Sequence, residues 1–418
     1  MLQLWFFANS VFCPFSISLG GMSVWLNVPV LLVGGAVWFK KKQTITLSSV
    51  KVFLLVIAYI FASFLVAAMG PCEDKFLKSI MTSSALILLV LVGVEVGRRA
   101  TSSEWLSLQK TAIWSLIVAF AGFALEMAMP SIFPNQTIYR VEGKLSGLYQ
   151  EPSEVAFTLF PCVVVLLVSG NRKIRRSGML ALLGLIIFSR SSTLFALIIS
   201  WILYRLLIHR KLRQAGLAAV GFSALIAFGS AINYDLLIAP TIDRIAGVVV
   251  SSETAGISSL VYLQGWQDAW ANFSRTRGLG LGFNMMGCHP LPDVPARQIL
   301  ALGGADELNS EDGSFQFSKV VSETGAAGIV LYIAIIWWWF QLEGKIPTME
   351  NDADRTAAAT QAALMFCFVA SSFIRSNSYF SGGILLWVVA ASGASKGWRK
   401  LDNSLGVNPG SSSTTSEA

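Results

Sequence analysis

Charge is what this sequence is shortest of. Asp, Glu, Lys and Arg make up 13% of its 418 residues against 54% hydrophobic ones, where an ordinary soluble domain carries about 25% charged. So few charged groups cannot cover a soluble globule, and that class is excluded. Histidine is scarcer still: His209 and His289 stand far apart, and no HExxH pair or histidine cluster suggests a catalytic metal. The five cysteines show no CxxC spacing, which argues against a zinc site or a disulfide framework. Cys13, Cys162 and Cys367 sit inside apolar runs, and nothing in the sequence supports a bridge between Cys72 and Cys288. Period-two alternation is missing from the apolar runs as well, which excludes an outer-membrane barrel.

What the chain has in abundance is apolar length. A spanning helix takes about 20 apolar residues and, with a short connection, roughly 30 to 35 of chain, so there is room for about twelve. Apolar runs lie near 2–19, 22–39, 52–70, 79–97, 111–129, 154–170, 177–190, 192–208, 214–232, 318–341, 357–374 and 380–395, the pair at 177–208 reading equally well as one long hairpin. Basic clusters fall on alternate connections: Lys40 to Lys42 with Lys51, then Arg98, Arg99 and Lys110, then 172–176, then 210–213, then 396–400. This positive-inside pattern predicts both termini in the cytoplasm. The expected fold is an all-α polytopic membrane protein of about 12 transmembrane helices. Its net charge of +7 is accounted for by those clusters meeting anionic membrane lipid, and no nucleic acid partner is expected. The first run lacks a basic n-region and leads straight into the second, so it reads as a retained helix.

The resulting organisation is nine spans over 1–232 with a polar loop at 130–153, a large loop at 233–317, three spans over 318–401 and a disordered tail at 402–418. Both polar loops fall on the non-cytoplasmic side. The larger, about 85 residues, is too long for a turn and should carry short helices. Within it Leu263, Trp266, Trp270 and Phe273 follow helical spacing. That stripe suits a helix at the membrane interface or on the bundle top, or a platform on which sugar rings stack. Gly278-Leu-Gly280-Leu-Gly282 lacks both the GxGxxG spacing and a βαβ context, and reads as a tight turn or a close backbone approach.

Cations gather on that same side: Arg140, Lys144, Arg190, Arg244, Arg275, Arg277, Arg297, Lys319 and Arg375. Arg190 and Arg375 stand at very short connections between apolar runs, where a cation must snorkel, pair or face a wet cavity. Snorkelling would explain either one alone. Together, opposite the arginine-bearing loops, they read as a shared anion site, because guanidinium offers a planar fork for phosphate or carboxylate. Acids accompany them. In Glu151-Pro-Ser-Glu154, Pro152 suits a first helical position and Glu154 a first turn, and simple capping is the plain reading. A second group, Glu307, Asn309, Ser310, Glu311, Asp312 and Ser314, precedes the span at 318, and Glu323 would lie one to two turns inside it, needing a partner or a cavity. Asp352-Ala-Asp354 falls on the cytoplasmic stretch 343–355 and reads as a solvated linker.

Four segments, in order, carry a family resemblance. They are Arg140…Ser146-Gly-Leu-Tyr-Gln-Glu-Pro-Ser-Glu-Val-Ala-Phe157, Ile186-Ile-Phe-Ser-Arg-Ser-Ser-Thr193, Trp266…Trp270…Gly278-Leu-Gly-Leu-Gly282, and Asn309-Ser-Glu-Asp-Gly-Ser-Phe315…Glu323-Thr-Gly-Ala-Ala-Gly328. Their order and sidedness resemble the bacterial O-antigen and exopolysaccharide polymerases, the Wzy family, which belongs with the O-antigen ligases; as architecture the likeness covers about residues 50–395. The resemblance implies a GT-C-like glycosyltransferase of the inner membrane that joins oligosaccharide repeat units carried on undecaprenyl diphosphate at the periplasmic face. It also implies no metal, nucleotide sugar or other cofactor, and partners in a chain-length regulator (co-polymerase) and a flippase. Ligases of this group typically place a histidine-bearing motif just before the helix after the large loop; here Glu311 and Asp312 stand there with no histidine, which favours a polymerase.

Chemistry of that kind needs cations for the departing diphosphate and a base for the acceptor hydroxyl. Arg190, Arg244 and Arg375, with Arg140 as a further candidate, are the expected diphosphate-binding residues. Glu151, Asp312 or His289 would be the base, with Glu154 and Glu311 orienting the site. A transporter of the same lipid-linked sugars is the competing class; it should show internal two-fold repetition and polar residues near mid-membrane, whereas here the polar residues gather on the outer loops.

Overall fold

The computed structural model describes residues 1–13, 15–19, 22–42, 73–133, 143–209, 257–287, 297–299, 313–375, 379–380 and 382–404, with scattered positions between 50 and 61. The regular structure among those residues is helical apart from one small hairpin. Helix α1 (Leu2–Phe7) runs on as a π turn through Phe12. Strands β1 (Ser16–Leu19) and β2 (Met22–Trp25) pair antiparallel, with Ser16 opposite Trp25. Then come α2 (Asn27–Lys42), α3 (Glu73–Arg99), α4 (Ser102–Ala128), α5 (Pro152–Leu167), α6 (Arg172–Ser189) and α7 (Ser192–His209). After a long interval follow α8 (Ile257–Arg275), α9 (Gln316–Thr324), α10 (Ala326–Lys345), α11 (Asp352–Ile374) and α12 (Gly382–Ser404).

Four of these are long and apolar enough to cross a membrane: Ser79–Arg99 within α3, all of α4, Ala326–Thr348 comprising α10 and its short extension, and α11. Large apolar side chains point outward from the bundle, among them Trp114 and Ile117 on α4, Leu180 and Ile187 on α6, and Val330, Ile333 and Trp337 on α10. Such faces suit hydrocarbon rather than water. At the centre lie α5 and α11. Every residue of α5 except Ser153 and Leu167 is buried, because a helix apolar all round finds its lowest energy inside a bundle. It packs against α4, α6, α7 and α11, and α11 in turn against α4, α7, α10 and α12.

Small residues set the closest helix crossing. Gly93 and Gly97 lie four apart on α3 and face α12, where a Cβ on Gly97 would sit 2.2 Å from the Val389 carbonyl oxygen. This is the close backbone approach that small-xxx-small spacing allows.

The predicted spans at 79–97, 111–129, 154–170, 177–190, 192–208, 357–374 and 380–395 coincide with α3 to α7, α11 and α12. Two expectations are corrected. The runs at 2–19 and 22–39 are not two continuous helices: the chain leaves the helix at Cys13 and folds back as the β1–β2 hairpin before α2 begins. Asn27 holds the far end of that excursion, donating to Asn9 Oδ1 and to the Phe380 carbonyl, both at 3.0 Å. Nor is 318–341 one span. It breaks at Gly325, whose φ of 58° the left-handed region reserves largely for glycine, so Glu323 belongs to α9, ahead of the span. The runs at 214–232 and most of 52–70 lie outside the described residues, and α12 carries on through Ser404.

The ends of the bundle are chemically distinct. Arg99 lies over the Trp38 ring at 5.5 Å, Ser102 hydrogen-bonds Asp354, and Lys345 ends α10 just before α11 begins. One end therefore collects the basic clusters of α2, α3 and α10. Glu151, at the start of α5, and Arg375, at the close of α11, meet at the opposite end.

Replacing Gly97 by Val should force α3 and α12 apart and cost about 3 kcal/mol or more, read as a lowered unfolding temperature of the purified protein; an unchanged midpoint would contradict the close crossing.

Candidate functional site

The site is built where the 143–151 loop meets the top of α5. The buried carboxylate of Glu126 on α4 accepts the Ser146 and Gly147 amides at 3.0 and 2.7 Å. Gly147, with φ of 60°, lies so flat on α4 that a Cβ would come within 2.9 Å of the Phe123 ring. The Leu145 amide donates to the Phe188 carbonyl, tying the loop to the end of α6. Tyr149 turns inward and donates to the Ser10 carbonyl at 2.8 Å. Burial pushes its hydroxyl well above the usual range, so it stays a neutral donor.

The loop thereby delivers two acids with different duties. Glu154, buried in the first turn of α5, accepts the Gln150 amide at 2.9 Å and does the capping. Glu151, at the N-cap position, makes no capping bond with its side chain. Its Oε1 instead meets Arg375 Nη2 at 2.6 Å and accepts the Ser153 hydroxyl. Arg375 closes α11 in extended backbone, its amide bonded to Ser371. Both members of the pair are partly exposed.

Arg190 stands at the same end, at the close of α6, with φ 44° and ψ 38°. This is the left-handed conformation that glycine usually fills after a helix, and an L-residue adopts it at a cost of about 1 kcal/mol or more. Its Nε donates to the Ile187 carbonyl at 3.3 Å.

Beside these, α8 and α9 form a second assembly. The Tyr262 hydroxyl donates to the Phe373 carbonyl near the end of α11, and Trp266 packs on Phe315 and Phe317 at 5.0 and 5.6 Å. The glycine-rich turn is the close backbone approach that its sequence suggests. The Leu281 and Gly282 amides donate to the Ser322 and Glu323 carbonyls, and the Ala326 amide returns to that of Gly278. A Cβ on Gly280 would lie 2.4 Å from the Glu323 carbonyl oxygen. The Glu323 side chain has the partners its sequence position demanded: the Asn284 and Met286 amides at 2.7 and 3.3 Å, the Tyr379 hydroxyl, and Lys319 Nζ at 4.0 Å. Burial pushes its carboxyl upward, and Lys319, the Tyr379 hydroxyl and both amides offset that only in part.

Of the nine expected site residues, the structure joins Glu151 to Arg375, sets Glu154 beside them and puts Arg190 at the same end. Arg140, Arg244, His289, Glu311 and Asp312 lie outside the described residues, as do Cys72 and Cys288. Sequence reasoning passed over Glu126 and Tyr379. Glu126 had a signal, an acid inside the apolar run 111–129, the same oddity that marked Glu323. Asp352 and Asp354 do not lie in a linker but in the first turn of α11, their carboxylates bound to Arg355 and Ser102 at the basic end. No protein-family model matches the chain, and no curated protein matches it significantly.

Arg190→Gly should leave the unfolding midpoint unchanged or raise it by the equivalent of about 1 kcal/mol, as left-handed strain is relieved, and a clear drop would show that the arginine serves the fold. Glu323→Leu should cost about 1 to 3 kcal/mol in the same assay, because two buried amides and the Tyr379 hydroxyl would lose their acceptor.

Proposed function

We propose that this chain is a metal-independent membrane glycosyltransferase, a polymerase that joins undecaprenyl-diphosphate-linked oligosaccharide repeat units into a surface polysaccharide such as O-antigen. In this reading it works at the periplasmic face of the bacterial inner membrane, with both termini cytoplasmic, in a GT-C-like bundle of about twelve spans. The observation that carries the proposal is the Glu151–Arg375 pair, a guanidinium fork and a carboxylate held together at the end of the bundle away from the basic clusters. The resemblance of the four ordered motifs supports the same reading, together with a flippase to supply substrate and a co-polymerase to set chain length.

The chemistry follows from what each group holds. A diphosphate carries more charge than one carboxylate and fills both arms of a guanidinium fork, so an arriving substrate takes Arg375 from Glu151. The freed carboxylate stays aimed by the Ser153 hydroxyl. The acceptor sugar's hydroxyl oxygen attacks the anomeric carbon as the bond from that carbon to the diphosphate oxygen breaks, the electron pair leaving with the lipid diphosphate. Arg375 and Arg190 hold that growing charge more strongly than they hold the ground state, which is where rate acceleration arises. Glu151 takes the hydroxyl proton. Arg140 and Arg244 are further diphosphate contacts in this scheme, Asp312 and His289 the alternative bases, and Glu154 and Glu311 the orienting acids.

Purified protein in lipid nanodiscs, given lipid-linked repeat units alone, should form a ladder of oligomers and release undecaprenyl diphosphate. Glu151→Gln should slow it by about a hundredfold or more. A requirement for a lipid A-core acceptor would make the protein a ligase, and movement of substrate without bond formation a flippase; either result overturns the proposal. Full turnover in Glu151→Gln, Asp312→Asn and His289→Gln alike would end the assignment of a base.

A further inference from the structure

Helix α8 buries three polar side chains and exposes two tryptophans. Its inward face carries Gln264, Asp268 and Asn272 at four-residue intervals, all buried, while its outward face carries Trp266 and Trp270, 40% and 72% exposed. Trp270 stacks on Phe273 with rings nearly parallel. In the turn that follows, Leu279 is 67% exposed between Arg277, itself exposed, and buried Gly280. An outer surface of tryptophan and leucine, with Gln267 and Ser274 between them and Arg275 and Arg277 at the edge, mixes apolar, polar and cationic groups as a membrane interface does.

The depth of this surface is fixed by hydrogen bonds. The Gly278 carbonyl accepts the amide of Ala326 at 2.8 Å, and Ala326 is the first residue of the span Ala326–Thr348. Leu279 and Arg277 therefore sit level with the point where that span enters hydrocarbon, and α8 reaches from there to its Tyr262 anchor on the Phe373 carbonyl near the end of α11. Aromatic rings are favoured at that level, and arginines there reach for phosphate. We infer that the outward face of α8 is a lipid-docking surface, with Trp270 and Leu279 seated among acyl chains and Arg275 and Arg277 on the head groups of anionic phospholipid. This inference stands apart from the polymerase proposal: it needs only that the chain spans a bilayer, and its test involves no sugar.

The test places the photocrosslinker p-benzoylphenylalanine at position 270 in the full chain. The protein is reconstituted in nanodiscs of phosphatidylcholine and phosphatidylglycerol, and adducts are read by mass spectrometry. The same crosslinker at position 337, on the lipid-facing side of α10 where Trp337 is 60% exposed, reports on correct insertion. Phospholipid adducts at both positions, with phosphatidylglycerol enriched at 270, are the expected result. The enrichment should fall by up to about fivefold for each of Arg275→Gln and Arg277→Gln. Adducts at 337 with none at 270, or a crosslinked dimer at 270, would overturn the lipid assignment. Enrichment unchanged in the double variant would overturn the role of the arginines.

Discussion

One ion pair ties together the two helices at the centre of the bundle. Helices α5 and α11 are walled in by neighbours on all sides, and Glu151 and Arg375 join their ends at 2.6 Å. Each charge is also well placed on its own helix, an acid where the α5 dipole is positive and a base where that of α11 is negative. Each helix end thus favours its own member of the pair, and Arg375 settles where the Glu151 carboxylate lies. Under the proposed function the guanidinium exchanges its carboxylate for the substrate's diphosphate, with Glu151 still held by the Ser153 hydroxyl.

The frame around the pair relies on a single device used three times. Glu126, Glu154 and Glu323 each put a buried carboxylate over backbone amides, of 146–147, of Gln150, and of 284 and 286. Irregular backbone near a bilayer has little water to satisfy it, and a buried carboxyl oxygen gives these amides the acceptor they would otherwise lack. The loops flanking α5 and α10 are thereby fixed rather than draped, which keeps Glu151 in a defined position. These three acids are buried on backbone amides, whereas Glu151 is bound to a side chain and partly exposed.

Much of this was legible beforehand. Apolar runs and alternating basic clusters located α3 to α7, α11 and α12 and assigned Glu151, Arg190 and Arg375 to one side, because hydrophobic length and charge are the properties a bilayer selects on. Gly278 to Gly282 announced a close approach, and Glu323 its need for partners. The hairpin at 16–25 was hidden because an apolar run of that length suits a strand as well as a helix. The break at Gly325 was hidden because a glycine within a span need not interrupt it. Which of Glu151 and Glu154 would cap α5 could not be read locally, since the choice rests on Arg375, 224 positions away.

A charge exchange separates the structural reading of the central pair from the chemical one. In the double variant Glu151→Arg with Arg375→Glu, the ion pair can re-form across the same gap, but the fork and the carboxylate have traded helices. The account predicts an unfolding midpoint recovered relative to either single variant, with sugar coupling and diphosphate release still absent. Coupling restored along with the midpoint would show that the pair merely joins α5 to α11, and would contradict the role given to each residue.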